Sequence, residues 1–237
     1  MVADAVTVRI LYVHGIGAQN ASGEWADALA QRVWERAMAR KLAPMQRTIT
    51  WGTDIAEALA PVRMDLRLRG LRFSAFRNAL WEYGSDALVY GGQRSVRNAV
   101  LTRVEQAIIA AQTPVVIVAH SWGSVVAVDA LVRLNQTNPF ALPKVALVTL
   151  GSPLAITGTD AERIDALQWV NVFDPLDPIG SPLNGVRGYV CEDLSVQTTP
   201  WYSRVRPVAG PLQAHTSYWK HDRVVDAVVN TAERLVA

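Results

Sequence analysis

A serine lies where a buried-strand pattern meets a helical pattern, in the stretch VVIVAHSWGSVVAVDALVRL (residues 115–134). The apolar, β-branched run before Ser121 predicts a fully covered strand, and the apolar spacing after it predicts a helix. A sharp turn from strand to helix strains the corner residue and admits only small side chains two positions away on either side. Those positions hold Ala119 and Gly123. The pattern indicates a hydroxyl raised above the sheet edge to act as a nucleophile, although a serine that only caps the helix fits the same spacing.

Backbone N–H groups for a developing oxyanion are offered at two places. The Trp122 N–H opens the helix after the serine, so it points to where an oxyanion would form. The turn YVHGIG follows the first predicted strand, and we take the Ile16 N–H as the second donor, with Gly17 as its alternative. A plain tight turn fits YVHGIG as well. A dinucleotide-binding loop does not fit, because its third glycine would fall on Asn20.

A serine hydroxyl needs a neighbouring base to attack at neutral pH, and the chain has four histidines. His215, in PLQAHTSYW, lies between the last predicted strand and the last predicted helix. If the connections are parallel, this loop lies at the same sheet edge as the serine, which makes His215 the preferred base. The other histidines are expected to have structural roles: His14, His120 and His221.

The base in turn needs a carboxylate that holds its tautomer and stabilises its charge. The turn NVFDPLDPI offers Asp174 and Asp177 directly after a predicted strand. We prefer Asp177, because it lies further beyond the strand end and has more freedom to reach the histidine; Asp174 is the alternative. Aspartates in proline-rich turns also often do no more than cap the turn.

Composition excludes several other classes of function. The 237 residues predict one domain, residues 1–237, and a net charge of +2 is too small to predict a nucleic-acid partner. Cys191 is the only cysteine, and no spacing of metal ligands occurs, so we expect neither a metal nor a cofactor. No apolar run reaches about 18 residues, and Asp4 stands where a signal peptide would be positive. We therefore expect a cytoplasmic protein without a transmembrane segment.

Short β-branched runs alternate with longer helical patterns. This alternation predicts an α/β fold, with a mostly parallel sheet of about six strands flanked by helices in a three-layer sandwich. Strands are predicted over residues 6–13, 46–51, 115–119, 144–150, 167–173 and 185–191. Helices are predicted over residues 22–42 and 95–112, from just after Ser121 to near residue 135, and over residues 221–237.

One segment, from about residue 53 to residue 92, interrupts this alternation with arginines, leucines and aromatic residues. An insertion of this length between a strand and a helix is often a lid or cap over a binding site. Extra helices packed on the sheet fit the segment equally well. Contact with a membrane surface is a weaker alternative, because the apolar and basic residues form no clean helical stripe.

The motifs VHGIG, VAHSWGS, LGSPL, NVFDPLDPI and AHTSYW, taken in this order, resemble those of the α/β-hydrolases, and within them the lipase- and esterase-like members. The motifs span about residues 11–219. The segment GSDALVYGG (residues 84–92) also resembles one that intracellular lipase-like members carry before the serine strand. Ala119 departs from the first glycine of the G-x-S-x-G elbow. The early first strand also leaves out the antiparallel strands that usually begin this fold.

The resemblance implies a serine hydrolase that cleaves carboxylic esters through an acyl-enzyme, with Ser121 as nucleophile, His215 as base and Asp177 as orienting acid. The expected substrate is a small-molecule or lipid ester. An acyltransferase or an amidase could use the same three residues. Outside enzymes, the alternative is a non-catalytic binding module with an α/β-hydrolase fold, against which the intact candidates at all three positions argue.

Overall fold

A computed structural model describes residues 6–13, 24–49, 90–157, 164, 167–198 and 213–237. Its strands are β1 (Val6–Val13), β2 (Leu42–Ile49), β3 (Val115–His120), β4 (Val145–Leu150), β5 (Gln168–Phe173) and β6 (Glu192–Ser195). Its helices are α1 (Glu24–Ala39), α2 (Arg94–Ile109), α3 (Gly123–Thr137), the single turn α4 (Leu154–Thr157) and α5 (Asp222–Val236). Short 3₁₀ turns lie at Pro139–Lys144, Val186–Gly188 and Tyr218–Lys220.

The six described strands run parallel in one sheet, in the order β2-β1-β3-β4-β5-β6. Strand β1 lies inside the sheet, with β2 on one side of it and β3, reached by a crossover, on the other side. At such a reversal the loops after the strands diverge, and ligands bind in the crevice between them. Strand β3 lies at this point and ends directly before Ser121.

Helices cover both faces of the sheet, as its apolar strands require. Helices α1 and α5 bury residues such as Leu29 and Val228 against one face, and α2 and α3 bury residues such as Val104 and Leu131 against the other. Strand β3 is buried along its whole length between these layers. The predicted three-layer α/β sandwich with six parallel strands is therefore confirmed.

The second strand begins earlier than the predicted range 46–51. It starts at Leu42 and includes Pro44, which pairs in register with Val8 of β1. Proline cannot donate to a sheet ladder, so the pattern argued against a strand there. Strand β2 is an edge strand of the described sheet, and its unpaired side tolerates the missing N–H.

The prediction of a last strand over residues 185–191 is wrong. Gly185, Arg187 and Gly188 have φ values of +80°, +49° and +83°, so this segment turns instead of extending. The strand lies further along the chain, at Glu192–Ser195, and pairs with β5.

Two other expectations concern parts of the chain that the structure describes only in part. The insertion predicted at about 53–92 falls outside the described residues except for 90–92, so a lid there stays a prediction. Among the helices in the described ranges, none has the length and apolar character needed to cross a membrane.

Candidate active site

Ser121 occupies the corner between β3 and α3. Its φ of +54° lies in the left-handed region, which costs a non-glycine residue about 1–3 kcal/mol and persists only where the surroundings hold it. The Ser121 N–H donates to the Leu150 carbonyl at the end of β4 (2.9 Å), and the Ser121 carbonyl accepts from the N–H and hydroxyl of Ser124. The strained strand-to-helix corner that the sequence predicts is present.

His215 is fully buried beside this serine. Its Nε2 lies 2.9 Å from Ser121 Oγ. The histidine ends a short helical turn, residues 213–215, where the sequence predicted an open loop. His120 supports this turn, because its Nε2 lies 2.8 Å from the His215 carbonyl, which can only accept a hydrogen bond. His120 is therefore a buried structural residue, as expected.

Asp177 lies on the other side of the histidine ring. Its Oδ2 is 2.9 Å from His215 Nδ1, and its Oδ1 accepts the Ile179 N–H at 2.9 Å. Because a carboxylate only accepts, His215 Nδ1 carries the ring proton, and Nε2 is left to accept from the Ser121 hydroxyl. The structure thus brings together the three residues singled out as nucleophile, base and acid in one hydrogen-bonded line.

The charge of Asp177 is stabilised by its neighbours. Burial alone would raise the pKa of this carboxyl, but the hydrogen bond and charge of His215, with the Ile179 N–H and the Tyr218 hydroxyl, hold the pKa below its ordinary value. Tyr218 donates to Oδ2 at 2.7 Å. Burial and the charge of Asp177 raise the pKa of Tyr218 well above its ordinary value, so the phenol stays a hydrogen-bond donor.

Asp174, the alternative acid, uses its carboxylate elsewhere. Its Oδ1 accepts the Leu176 N–H (2.8 Å), and its Oδ2 accepts the N–H (2.7 Å) and the hydroxyl (2.8 Å) of Thr198. The same Thr198 hydroxyl lies 3.0 Å from the carbonyl of Ala214, the residue before the histidine. Asp174 therefore tethers the segment that carries His215, whereas Asp177 contacts the ring itself.

Two glycines, to which the sequence alone assigns no role, leave room for the acid and the histidine. A Cβ on Gly151, whose φ is +57°, would lie 2.7 Å from a Tyr218 ring carbon and 2.8 Å from Asp177 Oδ2. A Cβ on Gly180 would lie 2.7 Å from the same oxygen. Gly151 and Tyr218 do stand in the motifs LGSPL and AHTSYW, but their roles depend on contacts between distant segments.

The predicted oxyanion donors are described in part. Trp122 has φ −59° and ψ −25° and directly precedes the first residue of α3. N–H groups at a helix start have no partner within the helix and carry its positive dipole end. Ile16 and Gly17 lie outside the described residues, so the second donor stays a prediction.

Other reactive groups in the described ranges do not form a competing centre. Within those ranges, no group of three or more histidine, cysteine, aspartate or glutamate side chains could hold a metal ion. Burial, and after it the charge of Asp193, raises the pKa of the Cys191 thiol to about 12. A thiol that stays protonated at neutral pH is a poor nucleophile.

No family model and no curated protein matches the chain. Among solved structures, a protein described as a hydrolase of the α/β superfamily from Xanthomonas campestris pv. campestris matches with 17% identity and a TM-score of 0.49, over 97% of each chain. An α/β serine hydrolase homologue from Coxiella burnetii matches with 13% identity and a TM-score of 0.39, over 90% of this chain and 85% of the other. A protein described as a hydrolase from Agrobacterium vitis S4 matches with 10% identity and a TM-score of 0.42, over 100% of this chain and 90% of the other.

At these identities and TM-scores, neither a substrate nor a catalytic residue can be carried over from the matched structures to this chain. The sheet order and the corner at Ser121, however, are observed in this chain itself. The chain has an open α/β fold, with six parallel strands in the described sheet and helices on both of its faces. In that fold the residue at the strand-to-helix corner after the switch-point strand stands at the top of the sheet.

Proposed function

We propose that the chain is a serine hydrolase that cleaves carboxylic esters through an acyl-enzyme, with Ser121 as nucleophile, His215 as base and Asp177 as orienting acid. One observation carries the proposal: Ser121 Oγ, the His215 ring and Asp177 Oδ2 form a line of two 2.9 Å contacts. The side chains of His215 and Asp177 are wholly buried, so water does not compete for these contacts.

In the first half-reaction, Ser121 Oγ attacks the ester carbonyl carbon while His215 Nε2 takes the hydroxyl proton. The resulting imidazolium is stabilised by the Asp177 carboxylate at Nδ1. The bond between the carbonyl carbon and the alkoxy oxygen then breaks, and His215 returns its proton to the leaving alcohol. Ser121 is left as an acyl ester.

In the second half-reaction, water gives a proton to His215 Nε2 and attacks the acyl carbon. The bond to Ser121 Oγ breaks, the serine regains the proton, and a carboxylic acid leaves. In both halves the carbonyl oxygen becomes an oxyanion, and we assign the Trp122 N–H at the start of α3 as one donor to it. We assign Ile16, or Gly17, as the other.

The substrate class is a small-molecule or lipid ester that enters the crevice where the strand order reverses. Transfer of the acyl group to an alcohol or amine would share the first half-reaction. Adding a competing alcohol or hydroxylamine to the assay measures that transfer directly, because the ratio of new ester or hydroxamate to free acid reports which nucleophile ends the reaction.

The test compares the wild type with Ser121→Ala on p-nitrophenyl esters of increasing chain length. Loss of the nucleophile is expected to lower kcat by about three to six orders of magnitude, as in other serine hydrolases. Ser181→Ala is the matched control, since its buried hydroxyl has no hydrogen-bond partner among the described residues, and it should keep wild-type rates.

Labelling by a fluorophosphonate gives a second readout that needs no chosen ester. The wild type and Ser181→Ala should be labelled, and Ser121→Ala should not. Hydrolysis by Ser121→Ala at near wild-type rates would refute the assignment of the nucleophile. A wild type that neither hydrolyses any ester nor reacts with the fluorophosphonate would support the binding module instead.

A further inference from the structure

We propose that Tyr218 is a positioning residue for this reaction: its hydroxyl holds the Asp177 carboxylate toward His215 and takes up part of its negative charge. The role in catalysis depends on the proposed function, but the contact and its effect on the histidine can be measured without it.

The geometry places two donors on one oxygen. Asp177 Oδ2 accepts from His215 Nδ1 at 2.9 Å and from the Tyr218 hydroxyl at 2.7 Å. Tyr218 is itself fully buried, at the start of the 3₁₀ turn that leads into α5. The phenol and the imidazole therefore share the charge that would stabilise a protonated His215.

The direction of the tyrosine hydroxyl is fixed by a third group. The Asp174 N–H donates to the Tyr218 oxygen at 2.9 Å. Because that oxygen already accepts a hydrogen bond, its own proton is directed to Asp177, where a buried carboxylate is the strongest acceptor in reach. Asp174 thus contributes its backbone to this network and its side chain to Thr198.

Charge sharing has a predictable effect on the base. A carboxylate whose charge is partly taken by a phenol attracts an imidazolium less strongly, so removing the hydroxyl should strengthen the attraction between Asp177 and a protonated His215. Removing the hydroxyl leaves Asp177 held by the Ile179 N–H, with more charge directed to the ring. Besides Asp177, the titratable groups that face Tyr218 and His215 from the neighbouring elements are Asp174 and His120.

The main test is Tyr218→Phe, with Tyr12→Phe as matched control. Tyr12 is also a buried tyrosine, and its hydroxyl donates to the Gln46 side chain. Both residues are far in sequence from the three site residues, Ser121, Asp177 and His215. We expect Tyr218→Phe to move the acidic limb of the kcat/KM profile to higher pH by about half a pH unit or more. The plateau of kcat/KM should fall by about tenfold or less, because kcat falls while KM stays unchanged. Tyr12→Phe should leave the acidic limb in place.

An NMR titration of His215, with ¹³C-labelled histidine and assignment by His215→Gln, measures the same pKa without any substrate. A higher pKa in Tyr218→Phe than in the wild type supports the inference even if no ester is hydrolysed, in which case only the proposed function fails. Equal His215 pKa values in the two proteins overturn the inference even if Ser121-dependent hydrolysis is found.

If Tyr218→Phe does not fold, a fluorotyrosine incorporated at position 218 replaces it. This residue keeps the hydroxyl and its hydrogen bonds but is a stronger donor, so it should lower the His215 pKa. An unchanged or raised pKa overturns the inference.

Discussion

Charged hydrogen bonds join distant segments in two regions of this molecule, the buried site at the sheet edge and the exposed contact between α1 and α5. In the site, His215 and Asp177 have side chains with 0% exposure. In the helix contact, which we call the α1–α5 ladder, three arginines of α1 face three acidic residues of α5, and these side chains are 31% to 75% exposed. The ladder consists of Arg32, Arg36 and Arg40 with Asp222, Asp226 and Glu233.

The two regions differ in how strongly solvent screens their charged pairs. In the ladder, water and salt screen each pair, and Asp222 and Asp226 each meet two arginines. In the site, the side chains of His215 and Asp177 are wholly buried, so solvent does not screen their contact, and a buried group that loses its partner is costly. One substitution should therefore have a large effect at the sheet edge and a small effect between the helices.

Exchanging each candidate acid for its amide should give the largest contrast. Asp177→Asn removes the charge that fixes the His215 tautomer, so we expect kcat to fall by about 10³–10⁴-fold with the fold retained. Asp174→Asn removes a charge that accepts from Leu176 and Thr198. It should lower the free energy of unfolding by about 1–3 kcal/mol and kcat by less than about tenfold.

Ester kinetics and urea unfolding on both variants make the comparison. The reverse result, with Asp174→Asn inactive and Asp177→Asn nearly normal, would make Asp174 the acid. Equal losses of activity would show that neither aspartate has a separate role.

Adding one methyl group should distinguish backbone strain from contact with the site. Gly151 and Gly185 both have positive φ, so alanine is strained at either position. A Cβ at Gly151 also meets Tyr218 and Asp177 Oδ2 below 3 Å, whereas a Cβ at Gly185 meets nothing within 4 Å. We expect Gly185→Ala to cost about 1 kcal/mol of stability with normal kcat, and Gly151→Ala to cost more and to lower kcat at least about tenfold.

Thermal unfolding and kcat, measured on both alanine variants, test this prediction. If both alanine variants keep full activity, Gly151 is needed only for its backbone conformation, and the tight packing around Asp177 is not required for the reaction.

The ladder should give the smallest effect. Arg36→Met removes the pairs with Asp222 and Asp226 but keeps the aliphatic stem of the side chain. We expect a loss of less than about 1 kcal/mol in the free energy of unfolding, smaller still at high salt, and unchanged ester kinetics. A loss of several kcal/mol that persists in high salt would mean that the ladder acts like a buried pair.

The sequence was informative where local patterns decide the structure. The apolar run before Ser121, with the small Ala119 and Gly123, identified both the buried strand and its corner, because sterics at a sharp turn depend on neighbours in the chain. The preference for Asp177 also agrees with its contact with His215. Greater reach beyond the strand is an incomplete reason, because the Asp174 carboxylate is also occupied by hydrogen bonds from Leu176 and Thr198.

Contacts between distant segments could not be predicted in this way. Strand β6 has the polar sequence EDLS, so it lacks the apolar signal of the other strands and is fixed instead by its pairing with β5. Asp193 in this strand accepts from Asn171 of β5 and from the backbone N–H groups of Leu183 and Asn184. None of these partners is adjacent in the chain, and the same holds for Tyr218 and Asp177.

The position of His215, the proposed base, near the end of the described chain determines when Ser121 could become reactive during synthesis. Strand β3 and the corner at Ser121 leave the ribosome well before His215, Tyr218 and α5, and α5 packs on β3, β4 and β5. Until that last segment docks, Ser121 is an ordinary alcohol without a proton acceptor. If Ser121 is the nucleophile we propose, the nascent protein gains it only when α5 docks on the sheet, and an incompletely folded chain would not acylate itself on cellular esters.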